Sequence, residues 1–311
     1  MTPAIVVVGD LMVDVVAAAA APLAHASDTH ARVRWTGGGA AANVAAWLAE
    51  AGAPVALVAR AGDDVAGRGA VAQLRDAGVD VRVALDGERA TGTCVVVIGA
   101  DGERTMLPDR GANLALAPGD LPAELFVGGA HLHLSGYVLL HDGPRAAGLR
   151  ALEHAREAAM TISIDPASAA PLQASGPERV LGWIAGADLL LPNLDEAQVL
   201  TGEREPEAAG RALAARAGAR EVVVTLGAGG ALWTDGRAVV RVVAAPVGAV
   251  VDTTGAGDAF AAGWLAARRG GADPAEALRA ACALGARAAS RPGARPSGAR
   301  STARRPSTAR P

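Results

Sequence analysis

One short stretch of the chain combines a glycine-rich turn with a carboxylate at the predicted start of a helix. It reads Val250-Val-Asp-Thr-Thr-Gly-Ala-Gly-Asp-Ala-Phe-Ala-Ala-Gly-Trp264, and its pattern predicts that a strand ends at Val251 and that a helix starts near Ala256. The first N–H groups of a helix lack intrahelical partners and lie at the positive end of its dipole. We therefore predict that Gly255, Ala256 and Gly257 form an anion cradle, where small residues let a phosphate approach the backbone.

Asp258 lies in the first turn beside this predicted cradle. A carboxylate at this position can simply stabilise the start of the helix. It can also act as a general base that takes a proton from a substrate hydroxyl as that hydroxyl attacks a phosphoryl group. The string Asp-Thr-Thr-Gly-Ala-Gly-Asp resembles the second signature of the ribokinase-like (PfkB) sugar kinases. The resemblance implies that Asp258 is the catalytic base.

A second glycine-rich segment, Thr36-Gly-Gly-Gly-Ala-Ala-Ala-Asn43 and onward to Gly52, resembles the first signature of the same family. The resemblance implies that Gly38, Gly39 and Asn43 contact the sugar. Independently of it, glycines let backbone and sugar pack closely, and an asparagine offers both a donor and an acceptor to neighbouring hydroxyls. Taken alone, a glycine-rich helix start could equally be structural.

Three other positions are candidates for the substrate pocket. The segment Gly9-Asp-Leu-Met-Val-Asp14 is similar to the family's opening strand and turn, which implies that Asp14 binds sugar hydroxyls. Tyr137 follows a predicted strand that lies near the site in relatives, so it is a candidate pocket wall. Arg110 could contact an acidic or phosphorylated substrate, pair with Asp109 or lie in solvent.

The resemblance extends to a nucleotide side and to two cation sites. The segment Val222–Trp233 looks like the family's strand and turn that hold ATP, which implies that Thr225 and Gly227 contact its phosphate and ribose. It is not a dinucleotide fingerprint, because Leu232 stands where the third glycine is required.

The residues Asn193 and Glu196 are three apart at a predicted helix start and offer hard oxygen ligands suited to Mg²⁺. They could equally form a helix-capping pair.

The closing segment Ser290-Arg-Pro-Gly-Ala-Arg-Pro-Ser297 resembles the family's last motif. Through it the resemblance implies a monovalent-cation site, for K⁺, formed by four residues: Asp252, the Thr254 carbonyl, Gly293 and Ser297. From Arg291 to Pro311, however, the sequence has six arginines, four prolines and no acid. Such a low-complexity stretch cannot bury a core, so we expect a solvated tail there. We expect the folded domain to end at residue 298 and the tail to cover residues 299–311.

The elements that must position these residues alternate along the chain. Runs rich in Val, Ile and Leu predict buried parallel strands, and Ala/Leu/Arg-rich stretches between them predict helices on both faces of the sheet. The strands are expected at 4–9, 55–59, 131–134, 161–164, 188–191 and 221–226, and the helices at 40–51, 67–77, 144–160 and 207–217. The predicted fold is a ribokinase-like three-layer α/β/α domain over residues 1–298. Segments 12–35 and 89–107 lack helices and are expected to pair as a small β-sheet lid, with a hairpin around residues 99–102.

Composition excludes several classes of protein. All 29 basic residues are arginine, which rules out a lysine Schiff base and a Walker A loop. A net charge of −3 argues against a nucleic-acid binder. The two cysteines, Cys94 and Cys282, lack metal-binding spacing, no basic residue precedes Arg32, and the run Val15–Ala24 is too short to span a bilayer. We expect a cytoplasmic protein with no membrane or nucleic-acid partner.

His131 and His133 share a strand face but lack an evident third ligand, which favours packed histidines over a metal site.

These features together predict an ATP- and Mg²⁺-dependent sugar kinase acting on ribose, a ketohexose or a keto-deoxy sugar acid, and forming a homodimer through its lid. A nucleoside kinase would share every motif above, although the scarcity of aromatic residues limits stacking on a base. A sugar-binding regulatory protein without turnover is a further alternative, which the intact Asp258 disfavours. A dehydrogenase is disfavoured by the missing dinucleotide fingerprint.

Overall fold

The computed structural model describes residues 4–99, 104–244 and 248–296. In chain order, the strands of these residues are β1 (Ile5–Val8), β2 (Met12–Ala19), β3 (Ala31–Gly38), β4 (Val55–Gly62), β5 (Asp80–Asp86), β6 (Gly92–Ile98), β7 (Arg104–Asp109), β8 (His131–Ser135), β9 (Thr161–Asp165), β10 (Leu189–Leu190), β11 (Glu221–Thr225), β12 (Ala231–Thr234) and β13 (Val239–Val242). Their α-helices are α1 (Ala40–Glu50), α2 (Val65–Asp76), α3 (Tyr137–Leu140), α4 (Asp142–Glu157), α5 (Ala169–Ser175), α6 (Pro177–Ile184), α7 (Leu194–Thr201), α8 (Pro206–Ala217), α9 (Ala256–Arg269) and α10 (Pro274–Ala289).

The larger sheet has the strand order β13-β12-β11-β10-β9-β8-β1-β4-β5. Its first seven strands in sequence run parallel, with Ile5 of β1 in register with Val55 of β4 and with His131 of β8. The last two, β12 and β13, are antiparallel. Since the parallel strands all end at the same edge, the loops that follow β1, β8, β9, β10 and β11 meet there, as the fold class predicts for a site.

Two hydrophobic cores lie on opposite faces of this sheet. One face packs against α3 to α8, and the other packs against α1, α2, α9 and α10 around the fully buried Trp47 and Trp264. The cores consist mainly of Ala, Val, Leu and Ile, because the chain is only 3% aromatic. The predicted three-layer α/β/α arrangement is confirmed.

A smaller sheet of order β3-β2-β6-β7 is formed by the two segments expected to lack helices. Strand β2 pairs antiparallel with β3 and parallel with β6, and β6 pairs antiparallel with β7 as the expected hairpin. Gly38, at the end of β3, leads directly into α1. The small sheet is therefore tied to the site edge of the large sheet.

Some elements were not predicted from the sequence. The antiparallel hairpin β12–β13 was missed, although Asp235-Gly236 between its strands is a turn signal. Residues 291–296 do not belong to a solvated tail, because Gly293 and Ala294 are buried against the body of the domain. Ser297 and residues 299–311 lie outside the described residues.

Two other features of the described residues complete the fold. None of their helices has the length and apolar character needed to cross a bilayer. His131 and His133 are packed histidines, because their ring nitrogens hydrogen-bond to the hydroxyls of Thr161 and Ser163 at 2.7–2.8 Å. Burial lowers the pKa of His131 to about 3 and of His133 to about 4, so both rings are neutral at physiological pH.

Candidate active site

The start of α9 has an open backbone turn. The helix begins at Ala256, as predicted, but the strand expected to end at Val251 is wrong, because the described residues 248–255 form no strand. Gly255 before the helix adopts a φ of 76°, a conformation that favours glycine. A Cβ on Gly255 would overlap the backbone of Ala294, whereas a Cβ on Gly257 would meet nothing within 4 Å. Gly255, the N-cap residue, has no side chain to cap this helix start, and among the described residues no side chain accepts a hydrogen bond from the Gly257 N–H. Because Gly257 is exposed, its backbone N–H can bind an anion such as a phosphate.

Asp258 lies in the first turn of α9 and is partly buried. Its Oδ2 accepts a hydrogen bond of 2.8 Å from Nδ2 of Asn43, which projects from α1. Burial and the carboxylates of Asp165, Asp10 and Asp14 together raise the pKa of Asp258 to about 8, against the effect of the Asn43 hydrogen bond. A general base must be ionised before it takes up a proton, so the fraction of Asp258 that can act as a base increases as the pH rises toward 8.

Asp14 lies on β2 at the base of the small sheet and is buried. Burial raises its pKa to about 6, although Arg295 opposes this rise. A Cβ on Gly38 would overlap the Asp14 carboxylate, and one on Gly39 would lie 2.7 Å from the Asp10 carbonyl oxygen. Glycines at these two positions therefore let β3 cross closely over the carboxylates. Sugar contacts for Asp14, Gly38, Gly39 and Asn43 stay predictions.

Asp10, which the sequence analysis did not single out, closes the start of α1. Its carboxylate accepts hydrogen bonds of 3.2 Å from the backbone N–H groups of both Ala40 and Ala41. It also accepts from Nη1 of Arg110 at 3.2 Å and from the Ser135 hydroxyl at 3.3 Å. An acid directly after a buried strand, Gly9-Asp10, is the sequence signal that could have revealed it.

Arg110 and Tyr137 form one wall of a narrow pocket beside Asp10. The Arg110 side chain pairs with Asp10 rather than Asp109, and its Cζ lies 3.8 Å from the Tyr137 ring centre. The Arg110 side chain is only 15% exposed. The predictions that it pairs with Asp109 or lies in solvent were therefore wrong. The other pocket-lining residues are Gly9, Asn113, Leu114, Leu116, Val138, His141 and Pro144.

Arg295 was also missed, because it was grouped with the arginine-rich tail. Its Nε donates to Oδ1 of Asn43 at 3.1 Å, and its Nη2 donates to the Gly38 carbonyl oxygen. Its Nη1 is buried and has no hydrogen-bond partner among the described residues. Burial lowers the pKa of Arg295 to about 10, still well above neutrality, so the guanidinium remains charged. The sequence signal that could have revealed it is an arginine directly after Gly293-Ala294, inside the segment that resembles the family's last motif.

The predicted nucleotide residues adjoin one another where β10 and β11 end. The Thr225 N–H donates to the Pro192 carbonyl oxygen at 3.0 Å, and Thr225 pairs with Asn193 in a parallel bridge. Gly227 follows with a φ of 56°, is exposed, and a Cβ there would meet nothing within 4 Å. Open backbone of this kind leaves room for a nucleotide, whose contacts with Thr225 and Gly227 stay predictions.

Asn193 and Glu196 form the helix-capping pair that was the structural alternative. The Glu196 N–H donates to Oδ1 of Asn193, and the Asn193 N–H donates to Oε2 of Glu196, both at 2.9 Å. Burial, followed by the nearby Asp165, raises the pKa of Glu196 to about 8. Glu196 and Asp165 are hard oxygen donors, and a divalent cation would stabilise the charged form of Glu196 that burial and Asp165 disfavour, so Asn193, Glu196 and Asp165 fit Mg²⁺.

The residues implied for a monovalent cation fit K⁺ poorly. Oδ1 of Asp252 accepts from the Thr254 N–H at 3.0 Å, and its Oδ2 accepts from the Gly293 N–H at 2.9 Å. Nη2 of Arg34, from the small sheet, lies 3.2 Å from the same Oδ2. A guanidinium charge therefore already stands at this carboxylate, and a cation beside it would be repelled.

Comparisons with known proteins agree with this geometry. The model of the pfkB family of carbohydrate kinases matches residues 2–300. Fructokinase-1 of Oryza sativa subsp. japonica is 36% identical over 277 residues, covering 84% of each chain. The 2-dehydro-3-deoxygluconokinase of Thermoproteus tenax is 34% identical over 259 residues, covering 80% of this chain and 78% of its own.

Solved structures show the same similarity. A probable sugar kinase from Rhizobium etli CFN 42 superposes with a TM-score of 0.85 at 26% identity, covering 95% of each chain. A fructokinase from Vibrio cholerae O395, solved with fructose, ADP and calcium ion, gives a TM-score of 0.79 at 29% identity, covering 94% of each. The family, the fold and the enzyme class expected from the sequence are thus confirmed. The chain belongs to the pfkB family of carbohydrate kinases, phosphotransferases with an alcohol group as acceptor.

Proposed function

We propose that this chain transfers the γ-phosphate of ATP to a hydroxyl group of a small sugar, with Asp258 as the general base. The observation that carries the proposal is the position of Asp258 beside the uncapped start of α9. In-line attack requires a base at the acceptor hydroxyl and positive electrostatic potential at the transferring phosphoryl group. One helix turn supplies both.

The remaining roles follow from the positions around this turn. Asp14 and Asn43 lie on the side of Asp258 that faces the small sheet, where they would hold the hydroxyls of the sugar. Thr225 and Gly227, at and just after the end of β11, would hold ATP. Asn193 and Glu196, with Asp165, would hold Mg²⁺, which supplies charge neutralisation at the phosphates when bound. The Gly257 N–H would stabilise charge that develops on the γ-phosphate.

We propose a plain sugar or sugar acid rather than a nucleoside as the acceptor. Relatives include a fructokinase and a 2-dehydro-3-deoxygluconokinase, and the pocket beside Asp10 is narrow. Tyr137 and His141 are the aromatic rings among its described lining residues, and the Tyr137 ring is already covered by Arg110. Base stacking therefore has little free surface there.

The test is a phosphorylation screen with ATP and Mg²⁺ over pentoses, ketohexoses, keto-deoxy sugar acids and nucleosides. Turnover of a ketohexose or keto-deoxy acid supports the proposal. Preferential turnover of a nucleoside would assign the alternative kinase. Sugar binding without ADP production would instead assign a regulatory protein without turnover.

We also propose that the reaction does not depend on K⁺, because Arg34 already neutralises Asp252. Initial rates in KCl, NaCl and tetramethylammonium chloride at equal ionic strength test this. Rates that agree within about twofold are expected. A strong activation by K⁺ alone would show that the cation site forms despite Arg34.

We propose that residues 1–298 form the kinase domain and that the small sheet is both its lid and a dimer interface. Val33, Trp35, Met106 and Leu107 expose apolar side chains on this sheet, and Trp35 is 67% exposed. Apolar faces of this kind are typical of contact surfaces. Light scattering at micromolar concentration should give twice the chain mass of 30.9 kDa, and Trp35→Ser should lower it. A monomeric wild-type protein would contradict the dimer.

We place the enzyme in the cytoplasm, where ATP is available. Cys94 and Cys282 are both buried and unpaired, as expected in a reducing compartment.

A further inference from the structure

Three side chains from distant parts of the sequence form a continuous hydrogen-bonded row that ends at Asp258. Nε of Arg295 donates to Oδ1 of Asn43, and Nδ2 of Asn43 donates to Oδ2 of Asp258. The guanidinium is also held by the Gly38 carbonyl oxygen and packs against Gly37, where a Cβ would overlap it. The row therefore reaches from the closing segment, through α1, to the start of α9.

The chemistry of the two end groups fixes the orientation of the amide between them. A guanidinium has only donors, so it can bond only to the oxygen of the Asn43 amide. An ionised carboxylate has only acceptors, so it bonds only to the amide nitrogen. If the amide turned over, its oxygen would face Asp258, and this arrangement is favourable only when Asp258 carries a proton. The amide orientation is therefore coupled to the protonation state of the base.

We propose that Arg295 is a positioning residue that, through Asn43, favours the proton-accepting form of Asp258 over the protonated form. This inference rests on the proposed function, because it assigns Arg295 a task in the phosphoryl transfer described above. Arg295 is not a catalytic residue in this account, since it acts on the base through the asparagine and not on the reacting atoms.

The charges around Asp258 explain why such a device is needed. Asp10, Asp14 and Asp165 face it from the ends of β1, β2 and β9, and each favours the protonated form. Arg295 is a buried cation that interacts electrostatically with Asp14, Asp10 and Asp258. Burial also favours the protonated form of Asp258. The charge of Arg295 and the fixed Asn43 amide both act in the other direction.

Removing Arg295 should therefore change the pH dependence of kcat/KM and not only its maximum value. In Arg295→Met the amide is free to turn and one positive charge is lost, so the pKa of Asp258 rises. Since kcat/KM reports the ionisation of the free enzyme, its acidic limb should move to higher pH. A shift of about one pH unit corresponds to a roughly tenfold loss of kcat/KM below the limb and recovery above it.

The experiment measures kcat and KM for the best sugar between pH 6 and 10 in four proteins: the wild type, Arg295→Met, Arg295→Lys and Arg291→Met. Arg291 is the matched control, because it is a partly exposed arginine four residues earlier on the same segment. The expected result is a displaced limb in Arg295→Met, a smaller displacement in Arg295→Lys, which keeps a charged donor, and a wild-type profile in Arg291→Met. A loss of kcat equal at every pH would overturn the proposal, and so would a raised KM for the sugar with an unmoved limb.

A second measurement needs no turnover and covers the case in which the proposed function itself fails. The pKa of Asp258 is raised in the folded state, so the native protein binds this proton more tightly than the unfolded chain does. The free energy of unfolding should then fall as pH rises toward 8, and this decline should be smaller in Asp258→Asn, which keeps only the part due to the other buried acids such as Glu196. In Arg295→Met or Arg295→Lys the decline should extend to higher pH. An unchanged pH dependence of stability in both variants would contradict the coupling, whether or not any sugar is phosphorylated.

Discussion

The two glycine-rich helix starts look alike in the sequence but differ in the structure. At the start of α1, the N–H groups of Ala40 and Ala41 donate to the carboxylate of Asp10, which comes from the end of β1. At the start of α9, the N-cap residue Gly255 has no side chain, no side chain of the described residues accepts a hydrogen bond from the Gly257 N–H, and Gly257 is exposed. The N–H groups at the start of α1 bind the protein's own carboxylate, whereas those at the start of α9 are available to an anionic ligand.

This difference teaches that a glycine-rich turn does not by itself identify a phosphate site. Helix N–H groups attract any anion, including a carboxylate from a neighbouring strand. The glycines before α1 serve close packing over Asp14 and Asp10, whereas Gly257 has empty space around it. Only the turn whose N–H groups remain accessible can bind the γ-phosphate.

The largest expected effect concerns the acid on the open turn. Asp258→Asn should lower kcat by about 10²–10⁴-fold, because the amide cannot accept the proton, while ATP binding stays largely unchanged. Steady-state kinetics and calorimetric titration with ATP measure the two effects. Asp142→Asn is the control, because Asp142 is also a first-turn acid and its side chain is 96% exposed. Near-normal turnover in Asp258→Asn would remove this residue from the mechanism.

The next prediction separates binding from packing within the open turn. Gly257→Val should lower kcat/KM for ATP by about 10–100-fold, since its side chain enters the space assigned to the phosphate, with little change in Tm. Gly255→Ala should instead destabilise the protein by about 1–3 kcal/mol, because its φ is positive and its Cβ would overlap Ala294. Kinetics and thermal unfolding of both variants make the comparison. Equal losses of stability in the two variants would argue against an open turn.

The pH profile gives a smaller but specific effect. Because burial raises the pKa of Asp258 to about 8, kcat/KM should rise about tenfold per pH unit below this value and level off above it. The sign follows from the requirement that a general base be unprotonated. Initial rates from pH 6 to 10 test it. A profile that is flat from pH 6 upward would show that no group with such a pKa controls the reaction.

The smallest effect is expected at the closed turn, and it is on stability. Asp10→Ala should lower the free energy of unfolding by about 0.5–2 kcal/mol, the usual range for the loss of a helix cap. Ser135→Ala removes only the long 3.3 Å hydrogen bond to Asp10 and should cost less. Urea unfolding of both variants measures this. If Asp10→Ala left stability unchanged, the carboxylate would not be closing α1.

The sequence allowed the fold to be predicted because its signals are local. Runs such as Ile5–Val8 and the turn before Ala256 carry their own periodicity and glycine pattern, so their elements were predicted within a few residues. The small sheet followed from two segments without helical spacing. Strand β5 was missed, because its alternation of polar and apolar residues is short and interrupted.

The site was predicted less completely, because several of its contacts join residues far apart in the chain. Asp258, Asn43 and Asp14 were singled out and lie together. Asp10, Asp165 and Arg295 were not, since no local pattern tells which carboxylate will cap α1 or which arginine will reach Asn43. Their partners are fixed only when the strands assemble and bring their ends to one edge.

The most direct test of the account is a crystal structure of the chain with the sugar that it phosphorylates, Mg²⁺ and a non-hydrolysable ATP analogue. We predict that the terminal phosphate lies about 3 Å from the backbone nitrogen of Gly257 and that the acceptor hydroxyl lies within about 3.2 Å of the Asp258 carboxylate. A terminal phosphate bound at the start of α1, or an acceptor hydroxyl out of reach of Asp258, would contradict the account.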